Sequence, residues 1–302
     1  MEIIKSATKI DFMGKRTAAF IISTILIIAG IVSLIVHGGP NYGIDFAGGT
    51  VIQVRFSQPV SPGEIRESLK DAALGGTIQR FGAEGVGEYL IRMQTSTSDV
   101  EGLSAQINDA LAERFGEDTF EIRRTEMVGP KVGKDLRKKG LQAIIFALIG
   151  ILIYISIRFK LRFAVGAVAA LAHDVMITVG VFSLANKEFS LPVLAALLTI
   201  VGYSLNDTIV VYDRIRENTG RMRREHFERT VNISINETLS RTILTSCTTL
   251  IVVIVLFLMG GGVIHDFTFA LLVGIVVGTY SSVFVASPLV VLWEKRFPTK
   301  QR

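Results

Sequence analysis

The sequence predicts an α-helical membrane protein: six transmembrane helices, with one α+β domain of ferredoxin-like pattern between helices 1 and 2. Three observations predict it. Mean hydropathy is +0.47, and 49% of the 302 residues are apolar while 20% are charged, so the two classes must be kept apart. Six apolar runs approach the roughly 20 residues that cross a bilayer core: Thr17–Val36, Gly140–Ile157, Phe163–Ala185, Leu191–Tyr212, Thr242–Met259 and Phe267–Leu292. The one long stretch of mixed polarity, 37–137, alternates strand and helix periods.

The Lys and Arg residues orient the spans. Lys5, Lys9, Lys15 and Arg16 precede the first; Arg158, Lys160 and Arg162 fill the turn between the second and third. Six arginines between Arg214 and Arg229 lie between the fourth and fifth, and Lys295, Arg296, Lys300 and Arg302 follow the sixth. With six spans all four segments fall on one side, which the positive-inside rule makes cytoplasmic. The expected layout is 1–16 as a cytoplasmic N-terminus, 17–36 as helix 1 and 37–137 as a periplasmic domain. The other five helices (140–157, 163–185, 191–212, 242–259, 267–292) fill 138–293, and 294–302 is a cytoplasmic C-terminus. The first span has no small-residue cleavage site after it and reads as an uncleaved anchor.

The outer domain can be taken element by element. Val51–Phe56 alternates as a half-buried strand. Ser61-Pro62-Gly63-Glu64 has the spacing of a capping box with Pro at the first helical position. Ile65 and Leu69 then follow one helical face until Gly75-Gly76. Thr77–Phe81 and Glu88–Met93 read as strands, and Ser98-Asp-Val-Glu101 repeats the capping box before a helix through Leu103, Ile107 and Leu111. Thr119–Met127 closes as a strand, completing the βαββαβ order. Such a sheet leaves one face free of helices, either a binding platform or a packing face for a neighbouring subunit.

Chemistry is sparse outside the membrane. The single cysteine, Cys247, excludes an internal disulfide and a zinc–cysteine cluster. The four histidines show no metal-ligand spacing, and no nucleophile elbow, HExxH or phosphate-binding loop occurs. No enzyme activity, cofactor, metal or nucleic acid is expected. The net charge of +5 reflects basic helix ends.

Inside the membrane the pattern is unusual. The fourth span carries Asn206-Asp207, leaves through Tyr212-Asp213-Arg214 and is read as entering a charged loop. The third carries His173-Asp174, and the fifth starts at Arg241. A carboxylate in a spanning helix costs about 2.5–3.5 kcal/mol on insertion scales, which marks it as functional. Asp207 lies about 8 Å above the cytoplasmic edge and Asp174 about 17 Å, at 1.5 Å per residue. Arg241 sits at the depth of Asp207, so Asp174, Asp207 and Arg241 form a stepped polar path suited to proton relay. The simpler alternatives are a static Asp207–Arg241 ion pair and a snorkelling Arg241. The offset in depth argues against an aspartyl protease dyad, whose acids share one proton. Polar and small positions concentrate in spans three to six, so these should form the core, with the first span peripheral.

Gly43-Ile-Asp-Phe-Ala-Gly-Gly49, Val128-Gly-Pro-Lys-Val132, Ala172-His-Asp-Val175, Gly202-Tyr-Ser-Leu-Asn-Asp207 and Asp213-Arg-Ile-Arg-Glu-Asn218 together resemble the SecF branch of the SecD/SecF protein-export family, within the RND superfamily. The resemblance covers nearly the whole chain. It implies pairing with SecD in the bacterial inner membrane and association with the SecYEG translocon, with YajC and YidC as further partners. It implies use of the proton-motive force to complete export of unfolded chains after the SecA ATPase has pushed. It assigns proton transport to Asp207 and Arg241, turns Asn206 toward the pathway, and gives the outer domain a part in capturing substrate. The residues leave sodium as an alternative coupling ion. A half-size RND exporter of a lipid or hydrophobic compound, and a non-transporting scaffold, are the competing functions.

Overall fold

The computed structural model describes residues 8–80, 87–93, 100–222 and 224–298. The chain begins with helix α1 (Arg16–Val36), a short helix α2 (Ile44–Ala47) and strand β1 (Gly49–Phe56). Helix α3 (Pro62–Asp71), strands β2 (Thr77–Arg80) and β3 (Glu88–Met93), helix α4 (Val100–Phe115) and strand β4 (Phe120–Val128) follow. The rest is helical: α5 (Pro130–Arg158), α6 (Leu161–Leu184), α7 (Leu191–Arg221), α8 (Phe227–Met259) and α9 (Gly261–Ser281). A π-helical turn, Ser282–Ala286, carries α9 into α10 (Ser287–Arg296).

The sheet domain has the expected order. Its antiparallel sheet runs β2-β3-β1-β4, the arrangement of a ferredoxin-like fold. Inward residues of β1 and β3 (Ile52, Val54, Phe56, Tyr89, Ile91, Met93) pack on Ile65 and Leu69 of α3 and Ile107 and Leu111 of α4. The Ser61 capping box forms, and the Ser61 backbone N–H holds the Glu64 carboxyl below the usual carboxylate range. The second capping box, at Ser98, and most of the loop 82–87 lie outside the described residues.

Among the described residues six helices are long and apolar enough to cross a membrane, α9 and α10 acting as one. They divide into two classes by burial. About half of the apolar stretch is buried in α6 (56%), α7 (50%) and α9–α10 (50%), against 22% in α1, 11% in α5 and 17% in α8. The core is therefore α6, α7 and α9–α10. The fifth span, expected in the core, is as peripheral as the first, because the hydroxyls that made it look polar mostly return to their own backbone. Thr245, Thr248 and Thr249 donate to carbonyls three or four residues back. Small residues allow close packing in the core: a Cβ on Gly278 would stand 2.9 Å from the Ser204 Cβ, and Gly274 faces Ile200, so the GxxxG face of α9 lies on α7.

The expected charged loop after Tyr212 is mostly helix. Continuous α7 to Arg221, with α8 from Phe227, is stabilised by Arg214–Glu217, Arg221–Glu217 and Arg214–Glu237 pairs, all at 2.6 Å. At this end Asn232 and Asn236 of α8 bind the backbone of Ile10 and Phe12, and Glu228 pairs with both Arg16 and Lys295. The segment entering α1 and the end of α10 thus meet at one end of the bundle.

The sheet domain is fastened at the opposite end. Phe189, between α6 and α7, exchanges backbone hydrogen bonds with Asn41 (2.7 Å) and Gly43 (2.9 Å). The Asp45 carboxylate accepts from Leu191 N–H at 2.8 Å and so caps α7. Arg92, on the face of β3 away from the helices, pairs with Glu188, so part of the expected open sheet face is packed on the bundle. Gly48 has φ +79° and ψ 166°, a conformation essentially confined to glycine, and a Cβ there would stand 2.9 Å from Pro130 Cα. Gly48→Val should therefore cost about 1–3 kcal/mol and expose the 38–48 segment to protease. Gly129→Ala is the control, because its Cβ would meet nothing within 4 Å. Equal protease resistance in both variants would show that the joint tolerates strain.

Candidate functional site

The bundle buries two carboxylates, each in its own hydroxyl network. Asp174, on α6, is 1% exposed. Ser204 of α7 and Ser281 of α9 donate to its Oδ2 at 2.6 and 2.8 Å. Its Oδ1 meets Nδ1 of His173 at 2.9 Å. Nε2 of His173 continues to Ser23 of α1 (2.9 Å), Ser23 to the Tyr280 hydroxyl (3.1 Å), and Tyr280 donates to the Ala19 carbonyl (2.7 Å). Four helices therefore meet around one acid. This is what burial requires, since an unpaired polar group in an apolar medium costs several kcal/mol.

Asp207, on α7, is 3% exposed and faces α8 and α9. Ser246 is 3.4 Å from its Oδ2 and 2.7 Å from the Thr279 hydroxyl. It is one helical turn beyond Ser204, about 4.5 Å along α7 at 1.5 Å per residue. Among the described residues no ion pair joins Arg241 to Asp207, so the static-pair alternative is not what the structure holds. Arg241 instead lines an open cleft of about 620 Å³ with Arg158, Asp213, Arg214, Glu217 and Glu237, at the end of the bundle where the segment 8–13 lies.

Of the four residues singled out in the sequence, Asp174 and Asp207 lie in separate hydroxyl networks and Arg241 lines the cleft. Asn206 is exposed on the outer side of α7, beside the exposed Gly202 and away from both acids. Sequence reasoning noted Ser204, Ser246, Thr279 and Ser281 as polar span positions without assigning partners, and passed over Ser23 and Tyr280. The π-helical turn left no sequence signal. At its end the Ala286 carbonyl accepts from the buried Tyr212 hydroxyl at 3.2 Å. Gly166 makes room, since a Cβ there would stand 2.6 Å from that hydroxyl.

Comparison with known proteins now decides the family. Residues 107–296 match the model "Protein export membrane protein SecD/SecF, C-terminal", and residues 33–60 match the "SecD/SecF GG Motif". A protein translocase subunit SecF from Magnetococcus marinus is 52% identical over 97% of this chain and 95% of its own length. The chain belongs to the SecF family. Another SecF, from Escherichia coli O157:H7, is 42% identical over 92% of this chain and 86% of its own. Among solved structures, SecDF from Thermus thermophilus aligns with a TM-score of 0.87 at 37% identity, over 97% of this chain and 40% of that one. SecDF in a super-membrane-facing form aligns at 0.71 with 39% identity, over 96% of this chain and 39% of that one. The chain thus spans about two fifths of those SecDF chains, and it overlays better on the first. The GG match covers α2 and the Gly48–Gly49 turn, the segment that joins sheet and bundle.

If the two serines hold Asp174 as a charged hub, Ser204→Ala and Ser281→Ala should each cost about 1–3 kcal/mol in thermal unfolding of the full chain in lipid nanodiscs. The two costs should largely vanish in an Asp174→Leu background. Thr199→Ala, whose hydroxyl only returns to the Ala195 carbonyl, should change little. Undiminished costs without the carboxylate would mean that the serines serve packing alone.

Proposed function

We propose that this chain is the SecF-type subunit of a SecD–SecF assembly in the bacterial inner membrane. Beside the SecYEG translocon, the assembly uses the proton-motive force to complete export of unfolded chains after SecA-driven translocation. YajC and YidC are the further partners expected of such an assembly. In this reading the termini are cytoplasmic and the sheet domain is periplasmic, in the layout 1–16, 17–36, 37–137, 138–293 and 294–302. The observation that carries the proposal is the pair of buried carboxylates on adjacent helices, Asp174 bound by Ser204 of α7 and Asp207, three residues beyond that serine, bound by Ser246, with Arg241 of α8 lining an open cleft.

The chemistry follows from that placement. Protonation removes the charge of an acid and with it much of the cost of holding the acid away from water. One charge crossing 100 mV is worth about 2.3 kcal/mol, enough to shift a two-state equilibrium about fiftyfold. Asp207 takes and releases the proton, Arg241 biases it toward the cleft, and Asp174 continues the path outward. Asn206, on the exposed face of α7, lies where the SecD half would pack. The tight joint between α7 and α2 passes a tilt of α7 to the sheet domain, which contributes to capturing the emerging chain.

Asp207→Asn should insert normally and fail to support export. The measurement is pulse-chase processing of several secreted precursors in depleted cells given back wild type or variant at equal abundance. Precursor accumulation with the variant supports the motor. Clearance equal to wild type would remove the relay and favour a scaffold. Repeating the assay over a range of sodium at fixed pH separates the two coupling ions: proton coupling predicts no dependence on sodium.

A further inference from the structure

Hydrogens can be counted along the chain of contacts from Asp174 to Ala19. There are four contacts: Asp174 Oδ1 to His173 Nδ1 (2.9 Å), His173 Nε2 to Ser23 (2.9 Å), Ser23 to Tyr280 (3.1 Å) and Tyr280 to the Ala19 carbonyl (2.7 Å). Each needs one hydrogen. The Ala19 carbonyl supplies none, the two hydroxyls supply one each, and a neutral imidazole supplies one. A carboxylate with a neutral histidine therefore provides three hydrogens for four contacts. Because a bare ring nitrogen and a carboxylate repel, the neutral ring keeps its hydrogen on Nδ1, and the shortfall falls on Ser23 and Tyr280, whose oxygens would face each other with no hydrogen between them. One further proton on the His173–Asp174 pair completes the set, wherever it sits. On an imidazolium, Nδ1–H goes to the carboxylate and Nε2–H to Ser23. On a carboxylic acid, the acid donates to Nδ1, and Nε2–H again goes to Ser23. Both forms release the Ser23 hydrogen to Tyr280.

From this count we infer that His173 and Asp174 act as one proton-carrying pair, held here in the loaded form, and that α1 senses the load through Ser23. The inference rests on the proton-motive reading above and extends it to a residue and a helix which that reading does not use. Burial favours the assignment: His173 is 5% exposed and Ser23 4%, so both are shut off from bulk solvent. The His173 ring also stacks on Tyr280, with centroids 6.2 Å apart, which fixes Nε2 toward Ser23. The titratable group stacked on the pair is Tyr280 of α9; α1 offers Ser23, and α7 and α9 offer the hydroxyls of Ser204 and Ser281. When the proton leaves, Nδ1–H turns to the carboxylate, Nε2 becomes an acceptor for Ser23, and the Ser23–Tyr280 contact is lost. The tie between α1 and α9 at this level then loosens, so α1 is the moving part that reports the state of Asp174. His173 is a positioning and proton-sharing residue.

The two states differ at one atom, Nε2, which bears hydrogen in the loaded pair and is bare in the unloaded one. The test is nitrogen-15 NMR of the full chain in lipid nanodiscs, with labelled histidine; the sequence has four, and His173→Gln assigns the signal. The expected result near neutral pH is a protonated Nε2 at His173. Tyr280→Phe, which removes the acceptor for the released Ser23 hydrogen, should raise the bare-Nε2 fraction about tenfold, the weight of one hydrogen bond. A wild-type His173 with hydrogen on Nδ1 and a bare Nε2 would overturn the proposal, as would a Tyr280→Phe spectrum identical to wild type. The readout is independent of export. A bare Nε2 beside an export-defective Asp207→Asn would discard the pair and leave the relay standing, whereas a protonated Nε2 beside normal export in Asp207→Asn would do the reverse.

Discussion

A carboxylate sealed among four helices constrains everything near it. Asp174 is completely enclosed, and its oxygens can be satisfied only if α7 and α9 bring Ser204 and Ser281 to within hydrogen-bond distance at the same level. That requires close helix axes, hence glycines at 274 and 278 on α9 and at 166 on α6, where side chains would collide with Ile200, Ser204 and Tyr212. The π-helical turn just beyond Ser281 lets the same helix present Ser281 inward and then offer the Ala286 carbonyl to Tyr212. Packing in the core thus follows from the needs of one acid. The more exposed α1, α5 and α8 are free of that demand and carry large aliphatic residues outward, such as Ile25, Ile157 and Leu258.

The sheet domain is coupled to this core through directional contacts. Asp45 caps the first turn of α7, and Phe189 bridges by backbone to Asn41 and Gly43. The Gly48 turn lies against the start of α5. Backbone hydrogen bonds and a helix cap resist shear better than side-chain packing, because they have narrow angular tolerance. The helix that carries Asp207 is therefore the helix to which the sheet is tied, with some 16 residues (about 24 Å) between the capped end and the acid.

Much of this could be read in the chain. Span number, the βαββαβ order and the Ser61 capping box follow from hydrophobic period and local turn chemistry, which act over a few residues. Asp174 and Asp207 stood out because a charge among apolar residues has no local compensation. What escaped was of two kinds. The continuation of α7 and α8 past the apolar limit was missed because charge density was taken for a loop, while Arg214, Glu217, Arg221 and Glu237 pair along and between the helices. The demotion of α8 was missed because a threonine that bonds its own backbone looks the same in sequence as one that bonds a neighbour.

By itself the sequence determined which segments enter the membrane, which side is basic, how the outer strands and helices alternate, and which two acids must find partners. Each is a property of one segment and the solvent around it. The tertiary structure decided who the partners are: Ser23, Ser204, Ser246, Thr279, Tyr280 and Ser281, drawn from α1, α7, α8 and α9. It also turned Asn206 outward and left Arg241 in a cleft instead of an ion pair. Serine and threonine occur throughout the spans and carry no mark of their acceptors. Only the rotation and depth of packed helices, set by glycine contacts tens of residues apart, select which hydroxyl meets which acid.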